Sequence, residues 1–336
     1  MLSSIEILRP GLASSIQDIG RWGYQDSGVP VSGAVDEVAF RLANLLVDNQ
    51  ANAAAIEFMI MGPDLKFNVS SFIAITGGVC QAWLNDQLLE QNRAYQVMPG
   101  AILKFKPITN GRFGYLAIKG GILTKPILNS RSTSVRIQLG GINGRNLQAA
   151  DQLPIKATYQ LKSLARRKLV VNHPTENLLT IRFVKGPQWQ QFSPKAQQLF
   201  TQGHFYISQQ ADRMGYRLAG PVLPIPAQSM LSEGTVTGNI QVTRSGQPIV
   251  LLADRQTAGG YPVIGTVCLA DLDKLIQANN QQQLRFKPVS TTTATLLLQK
   301  ETEKLHQLAV QFRQARYQQP IGPQQAAGSR IAELFK

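Results

Sequence analysis

Leu65-Lys66-Phe67-Asn68-Val69-Ser70-Ser71-Phe72-Ile73-Ala74-Ile75-Thr76-Gly77-Gly78 decides how the chain is built. Its first five residues alternate apolar with polar, the period of a half-buried strand. Phe72 to Thr76 is a mostly apolar strand, stopped by two glycines. Downstream, Ala82-Trp83-Leu84 leads through the turn signal Asn85-Asp86 to Leu88-Leu89, and Ala101 to Phe105 and Tyr115 to Ile118 follow, the last ended by Gly120-Gly121. Short strands at such spacing predict a barrel or sandwich. Upstream, Ile5 to Leu8 is a strand ended by Arg9-Pro10-Gly11, and residues 14–33 form a long structured loop. From Val35 to Val47 the period changes. Val38, Leu42 and Leu45-Leu46 share one face of an amphipathic helix, which Asp36 or Ser32 can cap.

The length of 336 residues predicts two domains. Residues 1–155 form the first, 156–178 a linker, 179–300 the second, and 301–336 a C-terminal helix and tail. The linker holds Pro154 at its edge, the basic run Arg166-Arg167-Lys168 and His173-Pro174. Leu179 to Val184 opens the second half, with strands around Phe205 to Ile207, Ile240 to Val242, Ile249 to Leu252, Val263 to Leu269, Leu284 to Phe286 and Thr293 to Leu298. Leu272 to Ala278 reads as a short helix. Leu305, Leu308, Ala309 and Phe312 fall at helical spacing over 301–317, and a Gln- and Ala-rich tail follows Pro320. Arg21-Trp22-Gly23-Tyr24, with Gly28, echoes Arg213-Met214-Gly215-Tyr216, with Gly220, which suggests duplicated domains. The fold class expected is mainly β with some α.

Composition narrows the function. Hydrophobic residues make up 43% and charged ones 16%, which excludes a disordered polyelectrolyte. The net charge is +14, but the basic residues are scattered and no nucleic-acid motif accompanies them, so the basic run reads as a solvated loop. The charge suits an anionic substrate or an acidic partner. Cys80 and Cys268 sit in apolar runs and read as buried reduced thiols. Three histidines and no CxxC or HExxH give no metal site. The N-terminus lacks signal-peptide character, no apolar run reaches membrane-span length, and no P-loop is present. The expectation is a cytoplasmic protein that engages neither nucleic acid nor membrane.

Three stretches gather polar side chains with glycine. The first holds Gln17, Asp18, Arg21 and Tyr24 and runs on to Asp36. The second is Asp212 to Pro221, with Arg213, Tyr216 and Arg217. The third runs from Ser232-Glu233 through Gln241 to Tyr261-Pro262. In the third, the apolar strand Ile249 to Ala253 delivers Asp254, Arg255, Gln256 and Thr257 before a Gly-Gly turn. Asp can be a base, Arg can fork a carboxylate or phosphate, and Gln and Thr can hold an amide. Asp254 and Arg255 also fit a structural role, pairing with neighbours and capping turns.

Gln17 to Asp36, Ala211 to Pro221, Ser232 to Pro262, and the run Asn129-Ser130-Arg131-Ser132-Thr133 resemble the allophanate hydrolase subunit 2-like family. That family is also called biotin-dependent carboxyltransferase, 5-oxoprolinase C subunit or KipA-like, and the resemblance covers about residues 4–290. It implies two cyclophilin-like β-barrel domains plus the C-terminal helix. It implies a heteromer with a subunit-B-like (KipI-like) protein and a hydantoinase-like third protein, the A component, hydrolysing the cyclic amide 5-oxo-L-proline to L-glutamate with ATP, whose site is shared with or lies on a partner. One alternative is a urea carboxylase-like carboxyltransferase using biotin carried by another chain. Another is a non-enzymatic antagonist of a histidine-kinase inhibitor. Under the leading reading, Asp254 is a general base or metal-side carboxylate, Arg213, Arg217 or Arg255 binds a carboxylate or phosphate, and Gln241, Gln256 and Thr257 hold the amide. Tyr216, Ser232, Glu233, Tyr261, Gln17, Asp18, Arg21 and Tyr24 complete the substrate-binding set. Thr243-Arg244 stands where the family commonly has Pro-Pro, Asn239 where it has Ala, Ala258 where it has Thr, and the Gln-rich Ala278 to Gln283 where it has a Pro-Gly turn.

Overall fold

The computed structural model describes residues 4–158, 164, 167–171, 176–227 and 231–315. Eleven of the 23 residues of the expected linker, including His173-Pro174, and the tail after residue 315 lie outside these residues. The architecture is mainly β, with curled sheets in both halves and a C-terminal helix.

In the first half one sheet orders its strands β11-β1-β4-β9-β6-β7. These are β1 (Ser4–Arg9), β4 (Asp64–Phe67), β6 (Ala82–Leu84), β7 (Gln87–Leu89), β9 (Ile102–Phe105) and β11 (Gln152–Pro154). The other orders β2 (Ser15–Gln17), β3 (Ala55–Met59), β10 (Asn110–Ile118), β5 (Ser71–Val79) and β8 (Ala94–Val97) as β2-β3-β10-β5-β8. The inner core sets Ile5, Ile7, Leu65 and Phe67 against Ile56, Phe58, Ile73, Ile75, Leu116 and Ile118. Side chains alternate along a strand, so Phe72, Ala74, Phe113, Tyr115 and Ala117 project from the opposite face. That face is covered too, by helix α1 (Glu37–Leu46). Two buried faces explain why β5 and β10 read as continuous apolar runs rather than alternating ones. Asp36 caps α1, its carboxylate accepting from the Ala39 N–H at 2.9 Å, and Phe40 and Ala43 pack inward.

The second half holds a seven-stranded sheet, β13-β14-β17-β16-β19-β12-β20. Its strands are β12 (Leu178–Lys185), β13 (Tyr206–Ala211), β14 (Gly215–Ala219), β16 (Asn239–Val242), β17 (Pro248–Leu251), β19 (Val263–Val267) and β20 (Gln283–Val289). A small ladder pairs β15 (Glu233–Gly234) with β18 (Ala258–Gly259). β12 and β20 run parallel, from Leu178 opposite Gln283 to Val184 opposite Val289. Phe183, Phe200, Phe205, Phe286 and Trp189 form the aromatic centre, with Phe200 and Phe286 stacked at 4.7 Å. Helix α2 (Pro194–Gln202) brings Phe200, capped by Ser193 with Pro194 in its first turn, and α3 (Leu269–Gln277) brings Leu275 and Ile276. This core is continuous with the face under α1, so the halves share one apolar interior.

Three readings of the sequence need correction. Thr293 to Leu298 is not a strand. Helix α4 spans Thr291–Ala315, beginning ten positions before the expected start at 301. Its β-branched opening favours a strand, but Ser290 overrides that preference by accepting the Thr293 N–H at 3.1 Å, and Thr295 and Thr302 bond back into the helix. Arg167 is not solvated: it is 6% exposed, pairs with Asp48 at 3.1 Å and lies over the Phe312 ring of α4. The echo between 21–24 and 213–216 is not structural, since the first segment turns and the second enters β14. Cys80 and Cys268 are free and buried, and burial pushes the Cys80 thiol up to about 12. No described helix is long and apolar enough to cross a membrane.

Candidate functional site

The functional groups gather where the loops of the first half meet the ends of β14 and β17. Beyond β17 the chain stays tied to β14: the Leu252 N–H donates to the Met214 carbonyl and the Asp254 N–H to the Arg213 carbonyl. This register sets Asp254 beside Arg213. Nε and Nη2 of Arg213 donate to the two Asp254 oxygens at 2.8 and 3.1 Å. Nη2 also reaches the Gly33 carbonyl at 2.7 Å, and Nη1 donates to Glu57. Glu57 lies opposite Tyr115 across the β3–β10 pair, on the face toward the second half. Its other oxygen accepts from the Tyr115 hydroxyl at 2.7 Å and the Val35 N–H at 2.8 Å. Tyr115 in turn accepts from the Asp36 N–H, and Gln277 of α3 donates to Asp36 at 2.6 Å.

One guanidinium thus joins the halves by compensating two buried carboxylates. The guanidinium of Arg213 is driven far above its ordinary pKa by Asp254 and Glu57, against the cost of burial. Among the described residues Asp36 makes no ion pair. Burial first, then the charges of Asp273 and Glu57, push it up to about 7, with the Ala39 N–H and Gln277 opposing. Gly33 stands at φ +86°, and a side chain there would meet the backbone of Gly20 at 2.8 Å.

A second knot fixes the loops around Asp18. Oδ1 accepts from Ser130 Oγ at 2.7 Å, from Ser132 Oγ and from the Gly20 N–H, and Oδ2 accepts from the Arg131 N–H at 2.6 Å. Arg21, fully buried, donates to the carbonyls of Ile127 and Ser132. Gln17 is buried and donates to Ser15 and the Thr133 carbonyl. Asn129 reaches the Tyr24 hydroxyl at 3.3 Å.

A third set of polar groups surrounds the β15–β18 ladder. Gln241 on β16 is 2% exposed. The amide nitrogens of Gln241 and Gln256 converge over Gly259, where a side-chain carbon would lie 3.0 and 2.6 Å from them. Gln188, just before the 3-10 turn Trp189–Gln191, holds the Val263 N–H with its oxygen and donates to Glu233 at 3.2 and 3.3 Å. Thr235 ties the ladder to the backbone of Gln256 and Thr257. Ser232 and Tyr261 lie at the exposed rim, and Thr257 is half-buried.

The predicted residues therefore fall into separate groups. Arg213 and Asp254 form the inter-half clasp, and Gln17, Asp18, Arg21 and Tyr24 belong to the loop knot. Glu233, Gln241, Gln256, Thr257, Ser232 and Tyr261 share the ladder region. Arg217 is exposed on β14, away from the clasp, and the Tyr216 ring is buried under Arg112 with its hydroxyl on the Ile276 carbonyl. The reading of the sequence missed Glu57, Tyr115, Gln188 and Gln277, and gave Asp36 only a capping role. Among the described residues no three His, Cys, Asp or Glu side chains are grouped to hold a metal.

Beside the clasp a cavity of about 790 Å³ opens between the 19–35 loop, α1, α3 and α4. Ile19, Trp22 and Val31 give it apolar wall, Ser32 and Thr237 hydroxyls, and Asp273 a carboxylate.

The family model for the carboxyltransferase domain, subdomain A and B, matches residues 27–288. The chain is 35% identical to the 5-oxoprolinase C subunit of Escherichia coli K12, covering 91% of this chain and 97% of that one. It is 37% identical to the protein of the same name from Haemophilus influenzae, covering 90% and 97%. A crystal structure of the Kluyveromyces lactis urea amidolyase superposes with a TM-score of 0.82 at 29% identity, over 91% of this chain but 20% of that one.

Proposed function

Because the chain belongs to the family of carboxyltransferase domains with subdomains A and B, we propose that it is the C subunit of an ATP-dependent 5-oxoprolinase complex. The observation that carries this reading is coverage. The relatives named as 5-oxoprolinase C subunits are matched over 97% of their length, the urea amidolyase structure over a fifth. The reaction adds water across the C–N bond of a stable lactam, giving a carboxylate and an amine. The ladder region suits such a substrate. Gln241 and Gln256 present converging amide nitrogens that can donate to a lactam C=O, and Gln188 and Glu233 border the same turn. Buried amides of this kind reject analogues that cannot complete the hydrogen bonds. In this reading Asp254, with both oxygens engaged by Arg213, anchors the turn that carries Arg255 to Thr257.

Among the described residues neither Gly-Gly pair offers a phosphate loop for a nucleoside triphosphate. Gly77-Gly78 lies within β5, and Gly120-Gly121 follows β10 with no helix after it, so neither forms a phosphate loop at a helix N-terminus. In this reading the ATP site is shared with or lies on a partner chain. The test is to co-purify the chain with its subunit-B-like and hydantoinase-like neighbours and follow glutamate release from 5-oxo-L-proline. Release that needs ATP and all three chains supports the reading, and no release from a folded complex overturns it.

The family description and the urea amidolyase superposition favour a second reading, carboxyl transfer from carboxybiotin borne by another chain. The same amides would take the ureido ring, and transfer of carboxyl from free carboxybiotin would select it.

A further inference from the structure

Four arginines among the described residues are buried to 8% exposure or less: Arg21, Arg112, Arg167 and Arg255. Three have an acid or an aromatic ring beside them. Arg167 pairs with Asp48, Arg21 feels Asp18 and Asp254, and Arg112 stacks on the Tyr216 ring while donating to Asn280. Arg255 has neither among the described residues. It is 4% exposed, no described acid offsets its charge, and its Nε has no acceptor. Its contacts are a 2.7 Å bond from Nη1 to Thr237 Oγ1 and a long one to the Leu252 carbonyl. An uncompensated buried cation is costly, and proteins keep such groups where a ligand completes them.

The surroundings identify the ligand. Thr237 is a wall of the 790 Å³ cavity, and because its oxygen accepts from Arg255, its own hydrogen is free to be donated. Ser32 forms the same corner. Its N–H donates to the Ala253 carbonyl at 3.1 Å, two residues before Arg255. It is 4% exposed, lines the cavity and has an unpartnered Oγ, at a strained φ of +56°. Two hydroxyl donors therefore line the cavity beside the apolar walls Ile19, Trp22 and Val31, and behind Thr237 lies a guanidinium without a counter-ion. We propose that this corner is a carboxylate subsite, in which Ser32 and Thr237 donate to the free carboxylate of a small ring substrate and Arg255 neutralises it. The identity of that substrate as 5-oxo-L-proline rests on the function proposed above; the anion chemistry does not.

The test is calorimetric titration of the full chain with 5-oxo-L-proline, its neutral amide 5-oxo-L-prolinamide, and acetate, repeated on Arg255→Gln, Arg255→Met and Thr237→Val. The expected result is at least tenfold tighter binding of the acid than of the amide, a preference that Arg255→Gln abolishes without weakening the amide. Arg255→Met, free of the buried charge, should melt higher than the native chain without ligand, which separates lost binding from misfolding. Acetate binding lost in Arg255→Gln, with neither ring compound bound, keeps the subsite and removes 5-oxoproline as its ligand. Equal binding of acid and amide by the native chain, a preference surviving in Arg255→Gln, or no binding of any probe overturns the subsite.

Discussion

Replacing Arg213 with Met retains an unbranched stem and deletes the charge that joins the halves. The change removes donations of 2.8 and 3.1 Å to Asp254, one of 2.7 Å to the Gly33 carbonyl, and the bond to Glu57. It strands two carboxylates, Glu57 at 1% and Asp254 at 8% exposure. Breaking one buried pair costs about 3–5 kcal/mol, and two acids share this guanidinium, so the loss belongs at the upper end, about 5 kcal/mol. That is a third or more of the roughly 5–15 kcal/mol that holds a domain together. Urea unfolding at pH 8, followed by tryptophan fluorescence and circular dichroism, measures it. The informative partner is the triple variant Arg213→Met, Glu57→Gln, Asp254→Asn, which removes all three charges at once. It should recover at least half of the lost stability, because an apolar or neutral replacement of a whole buried cluster is far milder than stranding part of it. A loss below about 1 kcal/mol for Arg213→Met, or a triple variant no more stable than the single, refutes charge compensation as the source of the clasp's strength.

Three further outcomes follow from other sites. The native state holds a proton on Asp36 up to about pH 7, against 3.8 for the free side chain. Its contribution is therefore fully present below about pH 4 and is lost as pH rises to about 7; Asp36→Asn should lack this decline, worth up to about 4 kcal/mol, and a difference between the two proteins that stays constant from pH 4 to 8 sinks the assignment. Gly140→Ala places a carbon 2.0 Å from the Ser132 carbonyl at φ +76°, so a loss of about 2 kcal/mol or more is expected in thermal melts. Phe312→Ala removes the ring under Arg167 and should cost about 1–2 kcal/mol, with hydrogen exchange rising in α4 while the β10 amides stay protected.

What the sequence disclosed depended on whether a signal was local. The α1 period and its Asp36 cap are both contained within a dozen residues, and both appear in the structure. Helix α2 escaped because its exposed face is rich in Gln and only Ala196 and Phe200 are buried, although Ser193-Pro194 carried a start signal. The opening of α4 escaped because a run of threonines outvotes a single serine cap. Arg213 and Asp254 were both singled out, yet their pairing spans 41 positions, and the register that makes it cannot be read from either segment. Glu57 was harder still. One acid inside an apolar strand looks like a solvent-facing position until both faces of that strand are known to be covered. The amide pair of Gln241 and Gln256 was legible as composition, whereas its convergence over Gly259 required the fold.

The clasp also bears on how the chain is made. The first half can complete its sheets once Pro154 has emerged, since β11 is the last strand they need. At that moment Glu57 faces outward without its cation, because Arg213 lies 156 positions further along. At about 5–20 residues per second, the 59 positions from Pro154 to Arg213 leave that carboxylate waiting roughly 3–12 s. The parallel pair of β12 and β20 delays the second half again, since its sheet is unfinished until Val289 arrives. The Glu57 carboxylate thus stays exposed on the face toward the second half, and becomes interior only when the later half delivers its counter-ion. Such an order makes docking of the second half a late and demanding step, for which an apolar face and one carboxylate wait together.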